Sequence, residues 1–179
     1  MTFASYITIS RIVLILPIII FSSFQNSLFN YLAFFLFLLA GLTDYLDGYI
    51  ARKTNSVTEL GALLDLLADK LLVSITLLWL LFADNSLLLF IPTLIIISRE
   101  LIISSLRQFV IEKRKKIEIS LLAKSKTTVH FISIALIIIS PEFGEYFYIF
   151  SISSLWLAAL LSIISLNNYI NSTVKTFKV

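Results

Sequence analysis

The stretch DYLDGYIARKTNSVTELGALLDLLAD, residues 44–69, decides the fold of this chain. It places four aspartates, Asp44, Asp47, Asp65 and Asp69, within sequence that is apolar enough to enter a membrane. An ionised carboxylate in a bilayer span costs at least ~2.5–3.5 kcal/mol, so such residues are retained where they face a cavity and meet cations. Those cations are basic side chains or bound metal. The stretch therefore predicts a divalent-metal site that opens toward one membrane surface.

The composition of the whole chain points to the same class of protein. Of its 179 residues, 59% are hydrophobic and only 14% are charged, which is too few charges to cover a soluble domain. Cysteine is absent, so disulfides and thiolate metal ligands are excluded. No linker composition or internal repeat divides the chain, and we expect one domain over residues 1–179.

Six apolar stretches are long enough to cross a bilayer, which takes about 20 helical residues. They predict an all-α integral membrane fold with six transmembrane helices, at roughly 5–24, 28–51, 60–82, 87–111, 120–140 and 144–168. The first stretch has neither a basic leader nor a small-residue cleavage site, and we expect it to be a retained span.

The basic residues predict the orientation of these spans. In the six-span arrangement all 14 lysines and arginines fall toward one face, whereas the opposite breaks carry only Asp84, Glu142 and Glu145. By the positive-inside rule, both termini and the aspartates should face the cytoplasm. The expected location is the inner (cytoplasmic) membrane of a cell, as a multi-pass protein.

The spacing of the aspartates brings them together on two helices. Asp44 and Asp47 are three residues apart near the end of the second span, and Gly61, Asp65 and Asp69 are spaced by four near the start of the third. A polar turn over residues 53–59 makes these helices antiparallel neighbours, so the two pairs converge at one seam. Hard oxygen ligands suit Mg²⁺ or Mn²⁺, and this many carboxylates can hold two ions. Two-metal sites serve phosphoryl displacement.

Neighbouring residues predict a pocket for a diphosphate. Gly48 and Gly61 remove side chains from the facing surfaces, although a glycine such as Gly61, taken alone, more often serves helix packing than ligand contact. Arg52 lies one turn beyond Gly48 and could bind a phosphate in bidentate fashion. Carboxylates in spans can also form a proton or cation pathway. A transporter would spread its acids across the membrane depth, whereas here the in-span acids lie at one end.

The combined pattern, Asp44-x2-Asp47-Gly48-x2-Ala51-Arg52-x8-Gly61-x3-Asp65-x3-Asp69, resembles the signature of the CDP-alcohol phosphotransferase family without a departure. The resemblance implies a six-span helical fold, a homodimer, a dinuclear metal site at the cytoplasmic face and displacement of CMP from a CDP-linked lipid or alcohol. It implies that the four aspartates ligate the two metals and that Asp69 also accepts the proton of the acceptor hydroxyl. The residues that it implies for CDP binding are Gly48, Ala51, Arg52 and Gly61.

Three further segments resemble bacterial phosphatidylglycerophosphate synthases within that family. They are residues 98–107 (SRELIISSLR), residues 124–127 (KSKT) and Thr8-x2-Arg11. This resemblance implies transfer of a phosphatidyl group from CDP-diacylglycerol to glycerol 3-phosphate. The same signature would also serve another acceptor, namely phosphatidylglycerol, inositol phosphate or serine. Ser5 and His130 depart from the subfamily pattern, which usually has asparagine and glutamine there.

Charge independently favours an anionic acceptor. Arg107, Lys124 and Lys126 lie at the cytoplasmic ends of the fourth and fifth spans and could cradle a phosphate. The alternative is that they are interfacial side chains that extend toward water. We expect His130 to hydrogen-bond between helices rather than to act in catalysis. Membrane lipids are the expected surroundings, and no nucleic-acid partner is expected.

Overall fold

The structure is a computed structural model whose described parts cover nearly all of the chain. Backbone is described for residues 3–24, 26–53, 59–112 and 121–178. Side chains are described for residues 8–24, 26–43, 61, 64–110, 127–175 and 177.

Six long helices account for these residues, and the prediction of an all-α fold is confirmed. They are α1 (Phe3–Ser23), α2 (Ser27–Lys53), α3 (Glu59–Asp84), α4 (Leu87–Glu112), α5 (Leu121–Ile139) and α6 (Glu145–Lys178), with a short 3-10 turn at Ser140–Glu142. Within the described ranges there is no strand. Each helix agrees with its predicted span to within a few residues, except that α6 continues ten residues past its predicted end at residue 168.

The distribution of side chains is that of a membrane protein. Among the residues with described side chains, three segments are long and apolar enough to cross a bilayer, namely Leu64–Asp84, Leu87–Val110 and Glu145–Lys175, and shorter apolar segments lie in α1, α2 and α5. Large apolar side chains such as Leu16, Phe35 and Leu101 point outward, while Arg11 and His130 are buried within the bundle. An apolar exterior, with these polar side chains turned inward, suits lipid surroundings.

The helices form two groups of three. In the N-terminal triplet, α1 packs extensively against both α2 and α3, and in the C-terminal triplet α6 packs extensively against both α4 and α5. The triplets contact each other less, through α2 with α5 and through α3 with α4 and α5. One continuous core joins them, with Phe37, Leu72, Ile134 and Leu155 among its buried members.

A close approach between α2 and α5 depends on a glycine. The ring of Phe131 on α5 lies against Gly41, so that a Cβ added at Gly41 would come within 2.3 Å of the ring. The same ring stacks on Phe37 with the centroids 4.5 Å apart. Gly41 therefore lets the two triplets meet at this level, just before the aspartate-bearing end of α2.

The two ends of the bundle differ in chemistry. At one end, which we call the aspartate end, lie the start of α3 and the end of α4. At the opposite end, Asn30 donates to a Glu142 carboxylate oxygen at 2.6 Å, and the Tyr148 hydroxyl donates to Asp84. These contacts tie the start of α2 to the 3-10 turn and the end of α3 to α6.

Candidate active site

The predicted metal-binding residues lie on the two helices where the spacing placed them. Asp44 and Asp47 belong to the second half of α2, and Asp65 and Asp69 belong to the first half of α3, one helical turn apart. Both carboxyls on α3 are half-buried. Several predicted site residues have side chains outside the described set: Asp44, Asp47, Gly48, Ala51, Arg52, Lys124 and Lys126. Convergence of the two carboxylate pairs therefore stays a prediction.

Asp65 is held by an arginine from another helix. Arg11, on α1, donates from Nη1 to Asp65 Oδ1 at 3.2 Å, and the two side chains form an ion pair. The Arg11 side chain is 1% exposed, whereas that of Asp65 is 43% exposed. The guanidinium is thus buried inside the bundle, while the Asp65 side chain stays partly accessible.

Gly61 and Asp69 complete the described part of the signature. Gly61, Asp65 and Asp69 follow one another at four-residue intervals along α3, and each is partly accessible. Four residues bring the helix back to nearly the same side, so the three share the face that also meets Arg11. A ligand at the aspartate end can reach this face.

A second polar contact joins α3 to α4 beside this face. Lys70, the residue after Asp69, donates from Nζ to the Ser104 hydroxyl, which in turn donates to the backbone carbonyl of Glu100. Arg107 lies one turn beyond Ser104 on α4 and is half-buried. Lys70 is near enough to Arg107 and Asp69 to interact electrostatically with both. Arg107, which is predicted to bind the phosphate of the acceptor, therefore lies next to the aspartate-bearing helix α3.

Arg99, at the start of the segment 98–107 that ends with Arg107, has a different environment. Arg99 is 5% exposed and donates to a Glu100 carboxylate oxygen at 2.9 Å and to the Ser165 hydroxyl on α6, also at 2.9 Å. Arg99 thus joins α4 to α6 inside the C-terminal triplet. Two arginines of one segment accordingly differ, because Arg99 is enclosed by protein and Arg107 is accessible.

His130 has the role expected of it. It is 2% exposed on α5, with Nε2 2.7 Å from the Ser162 hydroxyl and 3.4 Å from the carbonyl of Ala158, both on α6. The prediction of a helix–helix hydrogen bond is confirmed. Histidine, like the glutamine that is usual at this position, provides a polar group on α5 that can bond to α6.

Sequence reasoning gave no role to three residues that take part in this region: Arg11, Lys70 and Ser104. One signal was available for Arg11, because an arginine inside an apolar span requires an anionic or polar partner. Nothing in a single sequence says that the partner is Asp65. The contact between Lys70 and Ser104 likewise depends on how α3 and α4 are packed.

The described donors suit a hard divalent cation. Asp65 and Asp69 offer carboxylate oxygens, the ligand type that Mg²⁺ and Mn²⁺ prefer. Among the residues with described side chains, no group of three or more acids or histidines is gathered into a metal cluster. Two of the four predicted ligands, Asp44 and Asp47, are outside that set. The donor chemistry fits a metal, and the complete ligand set stays a prediction.

Comparison with known protein families assigns this six-helix bundle to a class of phosphotransferase. Residues 1–164 match the CDP-alcohol phosphatidyltransferase family, and the chain belongs to that family. Members of the family generally use divalent metal ions.

Individual relatives carry a more specific name. A CDP-diacylglycerol–glycerol-3-phosphate 3-phosphatidyltransferase of Rickettsia felis is 38% identical over 97% of this chain and 96% of its own length. Proteins of the same name from Rickettsia typhi and Haemophilus influenzae are 40% and 35% identical, each over 92% of this chain and over 93% and 89% of their own lengths. The similarity therefore extends over nearly the whole protein.

Proposed function

We propose that this protein is a membrane enzyme of phospholipid biosynthesis that transfers the phosphatidyl group from CDP-diacylglycerol to glycerol 3-phosphate. The products are phosphatidylglycerophosphate and CMP. The observation that carries the assignment is the near full-length similarity to relatives named for this reaction. The ion pair between Arg11 and Asp65 and the adjoining Lys70–Ser104 contact support it, because they place acids and cations side by side at one end of the bundle.

The donor lipid would be bound by the N-terminal triplet. Its acyl chains would lie in the bilayer while its CDP group reaches the aspartate end. Gly48, Ala51 and Arg52 on α2 would line the nucleotide pocket, and Gly61 would leave room for the nucleotide beside α3. The Arg52 guanidinium would bind the diphosphate through charge-assisted hydrogen bonds.

The cofactor would be two Mg²⁺ or Mn²⁺ ions held by four carboxylates: Asp44, Asp47, Asp65 and Asp69. When bound, such ions neutralise charge on the diphosphate and favour departure of the phosphate leaving group. This chain supplies the carboxylates, and Arg11 restrains one of them.

The acceptor would enter from the side of the C-terminal triplet. Arg107, Lys124 and Lys126 would bind the phosphate of glycerol 3-phosphate. The partial exposure of Arg107 and its place beside Lys70 support this role. With the phosphate held there, the acceptor hydroxyl would be directed toward α3.

The transfer is a displacement at phosphorus. Asp69 accepts the proton of the acceptor hydroxyl, and the hydroxyl oxygen forms a bond to the phosphorus that carries diacylglycerol. The bond from that phosphorus to the CMP oxygen breaks, and CMP leaves with the electron pair. Catalysis comes from positioning and electrostatic stabilisation, because no covalent enzyme intermediate is needed.

Several features of the arrangement in the cell belong to the same proposal. The chain forms a single domain over residues 1–179 with six transmembrane helices in the inner membrane. The aspartate end and both termini face the cytoplasm, where glycerol 3-phosphate is available. The enzyme acts as a homodimer.

The decisive experiment measures CMP release by the purified protein in detergent micelles with CDP-diacylglycerol and Mg²⁺. Glycerol 3-phosphate, phosphatidylglycerol, inositol phosphate and serine are offered in separate reactions. We expect release with glycerol 3-phosphate at a rate at least tenfold above the others. Release with a different acceptor would keep the family and refute the proposed substrate, and release with none would refute the assignment.

A further inference from the structure

We propose that Arg11 is a positioning residue of the metal site, which holds the Asp65 carboxylate in the orientation that a divalent cation requires. The inference rests on the proposed function, since it assumes that Asp65 is a metal ligand. It concerns a residue of α1, outside the α2–α3 signature.

Burial makes Arg11 a fixed point. Its side chain is 1% exposed, and the ten residues that follow it in α1, residues 12–21, are all apolar. A guanidinium in such surroundings must be matched by an anion or by polar groups. Asp65 provides an anion at 3.2 Å, on a different helix and 54 residues further along the chain. The packing of α1 against α3 therefore determines where this charge lies.

The Asp65 side chain is held by Arg11 but is not enclosed. Oδ1 accepts from Arg11, while 43% of the side chain remains accessible at the aspartate end. A carboxylate with one oxygen restrained on its buried side can present the other to a ligand. The same arrangement, in which a hydrogen bond from behind orients a metal ligand, is common in metalloproteins.

The restraint matters because Asp69 lies only one turn away. Two carboxylates on one helix face repel each other when no cation lies between them. An Asp65 side chain without Arg11 would rotate away from its neighbour, and a metal would have to reorder it on binding. Arg11 removes that rearrangement by fixing the rotamer during folding.

Direct binding of Mn²⁺ tests the idea without relying on turnover. The protein is purified in micelles, and free Mn²⁺ is measured by electron paramagnetic resonance during titration. We expect Arg11→Gln to weaken Mn²⁺ binding about 10- to 100-fold, the usual effect of removing a group that orients a ligand. Arg99→Gln is the matched control, because Arg99 is a buried arginine whose described partners are Glu100 and Ser165. Its Mn²⁺ affinity should equal that of the wild type.

Whether Arg11→Gln weakens or strengthens Mn²⁺ binding distinguishes an orienting role of Arg11 from a purely electrostatic one. A guanidinium that acted only through its charge would repel a divalent cation, so its removal would tighten binding. Tighter or unchanged binding by Arg11→Gln would overturn the proposal. Arg11→Lys keeps the charge but loses the planar fork, and we expect an affinity between those of the wild type and Arg11→Gln. If Arg11→Gln does not fold, the Mn²⁺ affinity of Arg11→Lys tests the proposal. Weaker binding than in the wild type supports it, and wild-type affinity refutes it.

A double-mutant cycle shows whether Arg11 acts through Asp65. In the Asp65→Asn background, Arg11→Gln should cause no additional loss of Mn²⁺ affinity, whereas equal losses in both backgrounds would contradict the proposal. The wild type separates the two levels of inference. If it binds no Mn²⁺ and releases no CMP, the proposed function fails. If it does both and Arg11→Gln binds Mn²⁺ normally, only the role of Arg11 fails.

Discussion

Replacing Arg107 with alanine should impair use of the acceptor and leave the donor lipid unaffected. Arg107 is half-buried on α4, one turn beyond the Ser104 hydroxyl that accepts from Lys70. It lies on the side of the aspartate end where the C-terminal triplet faces α3. If it binds the phosphate of glycerol 3-phosphate, the substitution removes one charge-assisted hydrogen-bonding group from that anion.

The size of the effect follows from the exposure of the side chain. Loss of a hydrogen bond to a charged group costs about 1.5–3 kcal/mol. Because each 1.4 kcal/mol corresponds to a factor of ten, this amounts to about ten- to a hundredfold in kcat/KM for glycerol 3-phosphate. Arg107 is partly exposed, and solvent screens its charge, so the lower end of that range is expected.

Steady-state kinetics of CMP release, with each substrate varied in turn, provide the measurement. For Arg107→Ala, the KM for glycerol 3-phosphate should rise about tenfold or more, while the KM for CDP-diacylglycerol stays within about twofold. Arg107→Lys should lie between the wild type and Arg107→Ala, since it keeps the charge but not the fork. The matched control is Ser105→Ala, because Ser105 is exposed on α4 and donates to the carbonyl of Leu101 in its own helix.

Two results would refute the reasoning about Arg107. Equal weakening toward both substrates would indicate a structural role in the bundle. Unchanged kinetics would assign Arg107 to the membrane interface, as a side chain that reaches toward water. In that case the phosphate would have to be recognised elsewhere, and the identity of the acceptor would need another explanation.

Four further predictions concern the aspartate end and the contact between the triplets. Asp69→Asn should reduce the rate of CMP release by about a thousandfold or more. EDTA should abolish CMP release by the wild type until Mg²⁺ or Mn²⁺ is restored. Full activity in the presence of the chelator would exclude the metal mechanism. Gly61→Leu should raise the KM for CDP-diacylglycerol, and Gly61→Ala should change it less. If the leucine variant fails to fold while the alanine variant folds and works normally, Gly61 serves helix packing alone. Gly41→Ala should lower the free energy of unfolding by about 1–3 kcal/mol, since its Cβ would overlap the Phe131 ring. Thermal unfolding in micelles measures this, with the lipid-facing Leu42→Ala as the control. Equal stability of the two variants would show that the ring moves aside freely.

Much of the fold could be predicted because long apolar runs determine helices in a membrane. The start of α3 and its spacing of Gly61, Asp65 and Asp69 followed from the sequence alone. The hydrogen bond of His130 was predictable as well, since a polar ring within an apolar stretch of helix needs a partner. These predictions depend on local pattern, which a single sequence contains in full.

The remaining features depend on packing between distant segments. Arg11 and Asp65 are 54 residues apart, and only the position of α1 against α3 makes them partners. The end of α6 shows the same limit. The sixth apolar span was predicted to end near residue 168, yet the helix continues to Lys178. In this extension Thr173 is buried and the Phe177 ring lies 5.4 Å from that of Phe109 on α4. Hydropathy predicts the length of a span, whereas a contact of this kind depends on the packing of α6 against α4.

The division into two triplets has a consequence for how substrate preference can change. All the residues proposed for the nucleotide and the metals belong to α2 and α3, whereas those proposed for the acceptor phosphate belong to α4 and α5. The triplets pack more closely within themselves than against each other. Side chains on α4 and α5 can therefore be exchanged for ones that suit a different alcohol without disturbing the machinery that activates the CDP-linked donor. One ancestral donor site could in this way serve enzymes for many headgroups, and a chimaera that joins this α1–α3 unit to the α4–α6 unit of a relative should take the acceptor of that relative.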